Sequence, residues 1–203
     1  MKLLKLIVLS CVMAAVAGCM QTEPVSRNVT PELGILAPNT PVLRSYEVQD
    51  VRIVVPQDLT VSEANSIKPR ADIVWRGDIM GDRHEQLRVL FEEAASLGAE
   101  RLDGQIPVIV DLQLTKFHGL TQRTRYNFGG DYDVHFILTV RHALTGEVIE
   151  GPRMVEAVLD NPSGDEVVAM EQRGVTERLF VSSFLVATLV DELSGTADPA
   201  TLF

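Results

Sequence analysis

Two stretches of the chain alternate apolar and polar residues with a period of two. Residues 107–118 (PVIVDLQLTKFH) set Val108, Val110, Leu112 and Leu114 to one side and Asp111, Gln113 and Thr115 to the other. Residues 131–141 (DYDVHFILTVR) set Tyr132, Val134, Phe136, Leu138 and Val140 against Asp133, His135, Thr139 and Arg141. Side chains on a strand point alternately to opposite faces, so both stretches read as strands of a sheet with one covered and one wet face. Shorter patterns predict further strands. One runs over residues 45–55, with Val51, Ile53 and Val55 on one face and Pro56 ending it. A second, short one covers residues 71–77 and carries Trp75, expected in the core. A third covers residues 147–160, follows a tight turn at Leu144-Thr145-Gly146, and bends near Gly151-Pro152. A short turn of helix is expected around residues 61–64.

The period changes over residues 81–97, where Leu87, Leu90, Phe91, Ala94, Ala95 and Leu97 recur at helical spacing among charged residues. Gly98 reads as the stop. A last helical region starts at Ser163, with Glu166 at the capping-box distance, breaks at Gly174 and resumes to Leu193. Val175, Leu179, Leu185, Val186, Leu189, Val190 and Leu193 form its stripe. The order β, β, α, β, β, β, α predicts an α+β fold in two layers. Its sheet has four to five mostly antiparallel strands, with two main helices packed on one face. The domain is expected over residues 45–195, with a tail at 196–203.

The N-terminus follows a different logic. Lys2 and Lys5 precede an apolar run of about eleven residues, followed by the small residues Ala17 and Gly18. This is the order of a secretory signal, and the run is shorter than the ~20 residues of a membrane-spanning helix. Val16-Ala17-Gly18-Cys19 resembles the lipobox of bacterial lipoproteins. The resemblance implies a signal peptide at 1–18, removed before Cys19, and acyl chains such as palmitate on the Cys19 sulfur and amino group. Two or three chains, at ~0.8 kcal/mol per buried methylene, hold a domain on a lipid bilayer. Met20 is not the Asp that retains enteric lipoproteins at the inner membrane, which suggests the outer membrane, with the domain facing the periplasm. Residues 19–44 follow as the lipidated cysteine and a tether carrying Pro24, Pro31, Pro38 and Pro41.

Composition narrows the function. The chain has 203 residues, 28 acids against 18 bases, and a net charge of -10. So acidic a chain lacks the clustered Lys and Arg that bind phosphate backbones, so no nucleic-acid partner is expected. The two cysteines are Cys11 and Cys19. With one removed and the other acylated, the domain has no thiol for a disulfide, a nucleophile or a metal site. None of the four histidines forms HExxH, and no GxSxG elbow or phosphate-binding glycine loop occurs. The nearest approach to a metal set is Asp131, Asp133 and His135 on one strand face, spaced ~7 Å apart, which reads as a solvated polar face. No catalytic residue, metal site or cofactor is assigned.

One segment departs from the acidic background. Residues 117–130 join the two long strands and combine Arg123 and Arg125 with Phe117, His118, Tyr126 and Phe128. Arginines and aromatics are the usual anchors of interfaces, so these six residues are the candidate partner-binding set. The alternative is a hairpin whose aromatics pack inward and whose arginines pair with local acids. The run FHGLTQRTRYNFGGDYDVHFILTVRHALTGEVI, preceded by ADIVWRGDIMGDRHEQ, resembles a family of uncharacterised bacterial envelope lipoproteins over residues 45–194. The family carries no assigned activity. The reading is therefore a non-catalytic, membrane-anchored envelope lipoprotein that binds another envelope protein as an accessory module. A lipid- or amphiphile-binding groove under the last helix is the second reading, and a metal-assisted enzyme using Asp131, Asp133 and His135 is a distant third.

Overall fold

A computed structural model describes residues 42–197. The signal peptide, Cys19 and nearly all of the expected tether and tail lie outside the described residues. The elements in order are β1 (Val42–Leu43), β2 (Tyr46–Val54), β3 (Ile73–Val74), α1 (Arg83–Ala99), β4 (Ile106–His118), α2 (Gln122–Asn127), β5 (Gly130–His142), β6 (Val148–Asn161), α3 (Asp165–Gln172), α4 (Glu177–Leu193) and β7 (Thr196–Ala197). The fold is α+β, and its main sheet has five strands. Strands β4, β5 and β6 pair antiparallel, while β2 and β3 both pair parallel with the outer side of β4. No described helix is long and apolar enough to cross a membrane.

The period-two pattern sets the layers. Val108, Val110, Leu112, Leu114 and Phe117 on β4 and Tyr132, Val134, Phe136, Leu138 and Val140 on β5 are all buried on one face. A register shift between Leu114 and Lys116 carries the apolar side from Leu114 to Phe117. Helices α1 and α4 supply Leu87, Leu90, Phe91, Ala94, Val181, Leu185 and Leu189 to the same core. Phe117 meets Trp75 edge-on with centroids 5.4 Å apart, and Phe91 meets Phe136 at 6.0 Å. The other sheet face stays open and carries Val54, Met154 and Val158 exposed among charged pairs.

Gly98 is not a helix stop. α1 continues to Ala99, and Gly98 is buried against α4. A Cβ there would stand 3.6 Å from Val190 Cγ2 and 3.8 Å from Leu189 Cβ. The position brings the two helices close and has space for one methyl group and no more. The turn of helix expected at residues 61–64 is absent; Val61 instead bridges Ile73. Ser163 does not cap α3, whose N-cap is Gly164 without a side-chain hydrogen bond. The expected break at Gly174 holds, and Thr176 caps α4 by accepting from the Leu179 amide at 3.2 Å. Leu179 itself is exposed, because the cap places it off the buried stripe. The bend on β6 falls at Gly151-Pro152, a cis peptide.

The chain reaches the sheet through a charge cluster. Glu150 on β6 is almost wholly buried and accepts four hydrogen bonds: Arg44 Nε at 2.9 Å and Nη2 at 2.6 Å, Tyr46 Oη at 3.1 Å and Arg153 Nε at 2.9 Å. Arg44 also donates to the carbonyls of Ser194 and Thr196. β1 pairs β7 antiparallel beside it, so residues 42–43 and 196–197, expected in the tether and the tail, are built into this end of the domain. Burial works to raise the Glu150 carboxyl, but the Arg44 and Arg153 guanidiniums outweigh it and hold it below the ordinary carboxylate value.

Gly98→Ala should raise stability by about 0.5–1 kcal/mol, since a helix interior disfavours glycine. Gly98→Leu should lower it by about 1–3 kcal/mol through overpacking against α4, and denaturant melts distinguish the two. Because Glu150 has a lowered folded pKa, its contribution is present above the ordinary value of 4.5 and is lost as pH falls through the folded value. Glu150→Gln should therefore be less stable at neutral pH and lose less stability than the parent on acidification, measured by melts across a pH series.

Candidate functional site

The strands give the domain two unlike ends. β2 and β4 run from the Arg44–Glu150 cluster toward the far end, where β4 stops at His118, β5 begins and α4 starts. The segment between β2 and β3 crosses this far end and is stitched to α2. Asn65 Oδ1 accepts from the Arg123 amide at 2.9 Å, Thr121 Oγ1 donates to the Ser66 carbonyl at 2.9 Å, and Thr124 Oγ1 donates to the Ile67 carbonyl at 2.6 Å. Thr121 also caps α2 by accepting from the Thr124 amide. Gly129 and Gly130 then turn the chain into β5 at φ +71° and +144°, angles that side chains rarely adopt.

Between the stitched segment, α2 and the open face lies a cavity of about 510 Å³. Lys116 and His118 come from β4, Asp131 and Asp133 from β5, Val158 from β6, and Ile67, Lys68 and Leu120 from the crossing segments. The lining joins apolar surface to both signs of charge. Lys116 Nζ donates to Asp133 Oδ2, and His135 Nε2 lies 2.6 Å from Asp133 Oδ1. Burial raises the Asp133 carboxyl, but those two partners prevail and keep it below the ordinary aspartate value. Asp133 is thus committed at both oxygens. Of the D-x-D-x-H run, Asp133 and His135 join each other, while Asp131 stands apart at the cavity rim. His118 Nε2 donates to the Pro69 carbonyl at 2.9 Å.

The six residues expected to bind a partner divide three ways. Phe117 lies in the core and Arg125 is buried, so neither presents a docking surface. His118 lines the cavity. Arg123, Tyr126 and Phe128 are exposed on or beside α2, with Phe128 60% exposed. The connection is not a plain hairpin loop, because α2 sits inside it. Arg125 packs 5.4 Å from the Tyr126 ring, donates to Glu171 Oε1 and brings Nε to 3.9 Å from Glu177 Oε2. Tyr132 Oη donates to Glu177 at 2.8 Å, and burial pushes the Glu177 carboxyl up. Arg125 therefore fastens α2 to α3 and α4. Lys68, Lys116 and Val158 escaped the sequence reading; the shift after Leu114, which brings Lys116 to the cavity, shows in the sequence only as the two successive polar residues Thr115 and Lys116.

Arg125→Ala should cost about 3 kcal/mol, because it strands the acids it serves. Arg123→Ala should stay within about 0.5 kcal/mol of the parent in the same denaturant melt.

Comparison with known proteins agrees in part with the reading of the sequence. No curated protein matches the chain. A Xanthomonas campestris protein of the DUF330 family has a crystal structure with a TM-score of 0.44 at 8% identity, covering 77% of this chain and 87% of that one. An uncharacterised protein matches with a TM-score of 0.34 at 15% identity, covering 76% and 91% of the two chains. A minor lipoprotein from Acinetobacter baumannii matches with a TM-score of 0.28 at 11% identity, covering 74% and 96%. The model of a family of unknown function, DUF6778, matches residues 46–202, and the chain belongs to that family.

Proposed function

We propose that this protein is a non-catalytic envelope lipoprotein, anchored in the outer membrane through acylated Cys19. Its domain faces the periplasm and docks another envelope protein at the far end. The lipobox-like Val16-Ala17-Gly18-Cys19 supports the anchor. The observation that carries the docking role is the cavity of about 510 Å³ where the open sheet face meets α2. Exposed Ile67 and Val158 beside Lys68 suit a protein segment that offers an apolar side chain next to a carboxylate, while Lys116 is already held by Asp133. Exposed Arg123, Tyr126 and Phe128 extend that surface along α2.

The amphiphile-binding alternative needs room between helices and sheet. The space lined there by Leu189 and Leu193 of α4 measures about 10 Å³. That is roughly one water molecule, far below the volume of an acyl chain.

A photo-crosslinking amino acid placed at Phe128 or Val158 in intact cells should trap the same envelope protein. The same probe at Leu97, exposed on the helical layer, should not. Radiolabelled palmitate should enter the parent chain and fail to enter Cys19→Ser. No adduct at either docking position would end the docking role, and an unlabelled parent would end the anchor.

A further inference from the structure

The short loop between β3 and α1 exposes two adjacent apolar side chains almost completely, Ile79 at 88% and Met80 at 83%. A slack loop would fold such residues back or let them move. This one is fastened from beneath. Asp78 Oδ2 accepts from the Trp75 indole at 2.8 Å and from Arg178 Nη1 at 2.6 Å. The Ile79 carbonyl accepts from Arg83 Nη1 at 3.1 Å and Gln86 Nε2 at 2.9 Å. Arg83 is itself buried and held by Glu63 through Nε and Nη2. The backbone under the two side chains is therefore bonded on both sides while the side chains touch little of their own domain. That is the preorganised form of an interface anchor, whose ordering cost is met before binding.

The surrounding charge states what the anchor fits. The nearby cations are each paired: Arg76 and Arg83 to Glu63, Arg88 to Glu85 and Glu92, and Arg178 to Asp78 and Glu93. Six acids surround these four arginines: Glu63, Asp78, Glu85, Glu92 and Glu93 hold the pairs, and Asp82, 66% exposed, pairs with no arginine among the described residues. An acidic rim around an apolar pair disfavours anionic lipid headgroups. It also disfavours a twofold contact with a second copy, which would set the rim against itself.

We propose that Ile79 and Met80 form a second docking element, which inserts into an apolar cleft bordered by Lys or Arg on a partner protein. The inference extends the docking role proposed above to the opposite flank of the same end.

The test places the photo-crosslinker at Ile79 and, as a control, at Leu144, which is equally exposed at the other end of the sheet. The probe at position 79 should give one discrete protein adduct, and the crosslinked partner peptide should lie beside Lys or Arg residues. The probe at 144 should give none. Ile79→Ser with Met80→Ser should lower recovery of that identified partner at least about tenfold with the melting temperature unchanged. Glu85→Lys should weaken the adduct. An adduct to phospholipid, to a second copy, or to a partner peptide without nearby cations would overturn the inference, as would no adduct at 79. Adducts at 128 and 158 without one at 79 overturn this inference alone; silence at all three overturns the docking role with it.

Discussion

The buried carboxylate of Glu150 is the constraint around which one end of the domain is arranged. A carboxylate with almost no exposure is tolerable only when its oxygens are satisfied by opposite charge and hydrogen bonds. Here the donors come from Arg44 and Tyr46, more than a hundred positions earlier, and from Arg153 on its own strand. Arg153 reaches on to Glu192 near the end of α4, and Arg44 reaches the carbonyls of Ser194 and Thr196. The arriving chain, the last strand of the sheet and the end of the last helix are thus pinned to one point. Loss of Arg44 or Arg153 would leave the buried Glu150 carboxylate short of partners where water scarcely reaches it.

The sheet was legible in the sequence wherever a physical period generates it. A strand that is half buried must alternate, and residues 107–118 and 131–141 do so apart from Ile109 and Ile137 on the polar side, until Lys116, where the register shifts. The two long helices were legible for the same reason. The parallel pairing of β2 and β3 on β4 was not, because partner and direction leave no trace in the pattern of a single strand. Helix α2 escaped because six residues are too few to show a stripe, and its cap Thr121 lies in a run of polar residues that reads equally well as a loop. Gly98 misled because a glycine at a close helix crossing looks the same in sequence as a glycine at a helix end.

The candidate site was legible in outline only. Arg and aromatic residues between the long strands do mark the far end, yet composition cannot say which of them face out. Phe117 continues the buried face of β4 once the register shift is counted, so the core takes it. Arg125 and Arg123 differ by one half-turn of α2, and that half-turn puts one beside Glu171 and Glu177 and the other in solvent. The cavity residues come from five separate segments, and no linear motif joins Lys68, Lys116 and Val158.

The two ends differ in the chemistry they leave unfinished. Where the chain arrives, the buried charges are satisfied and the short β1–β7 pair closes over the end of α4. At the far end the polar groups are equally well bonded, through Thr121, Thr124, Asn65 and Asp78, and Ile67, Ile79, Met80 and Phe128 stand outside, as Leu43 and Leu144 do at the first end. Scattered exposed apolar residues need no explanation on a surface of this size. Two adjacent ones almost wholly in water, Ile79 and Met80, on a loop fastened by buried polar groups, do need one. Hydrogen bonds that order a loop lower its entropy whether or not anything binds. A loop that is ordered and still leaves its apolar side chains in water has met the conformational cost of an interface without the burial that would offset it. The proposed partner would supply that burial.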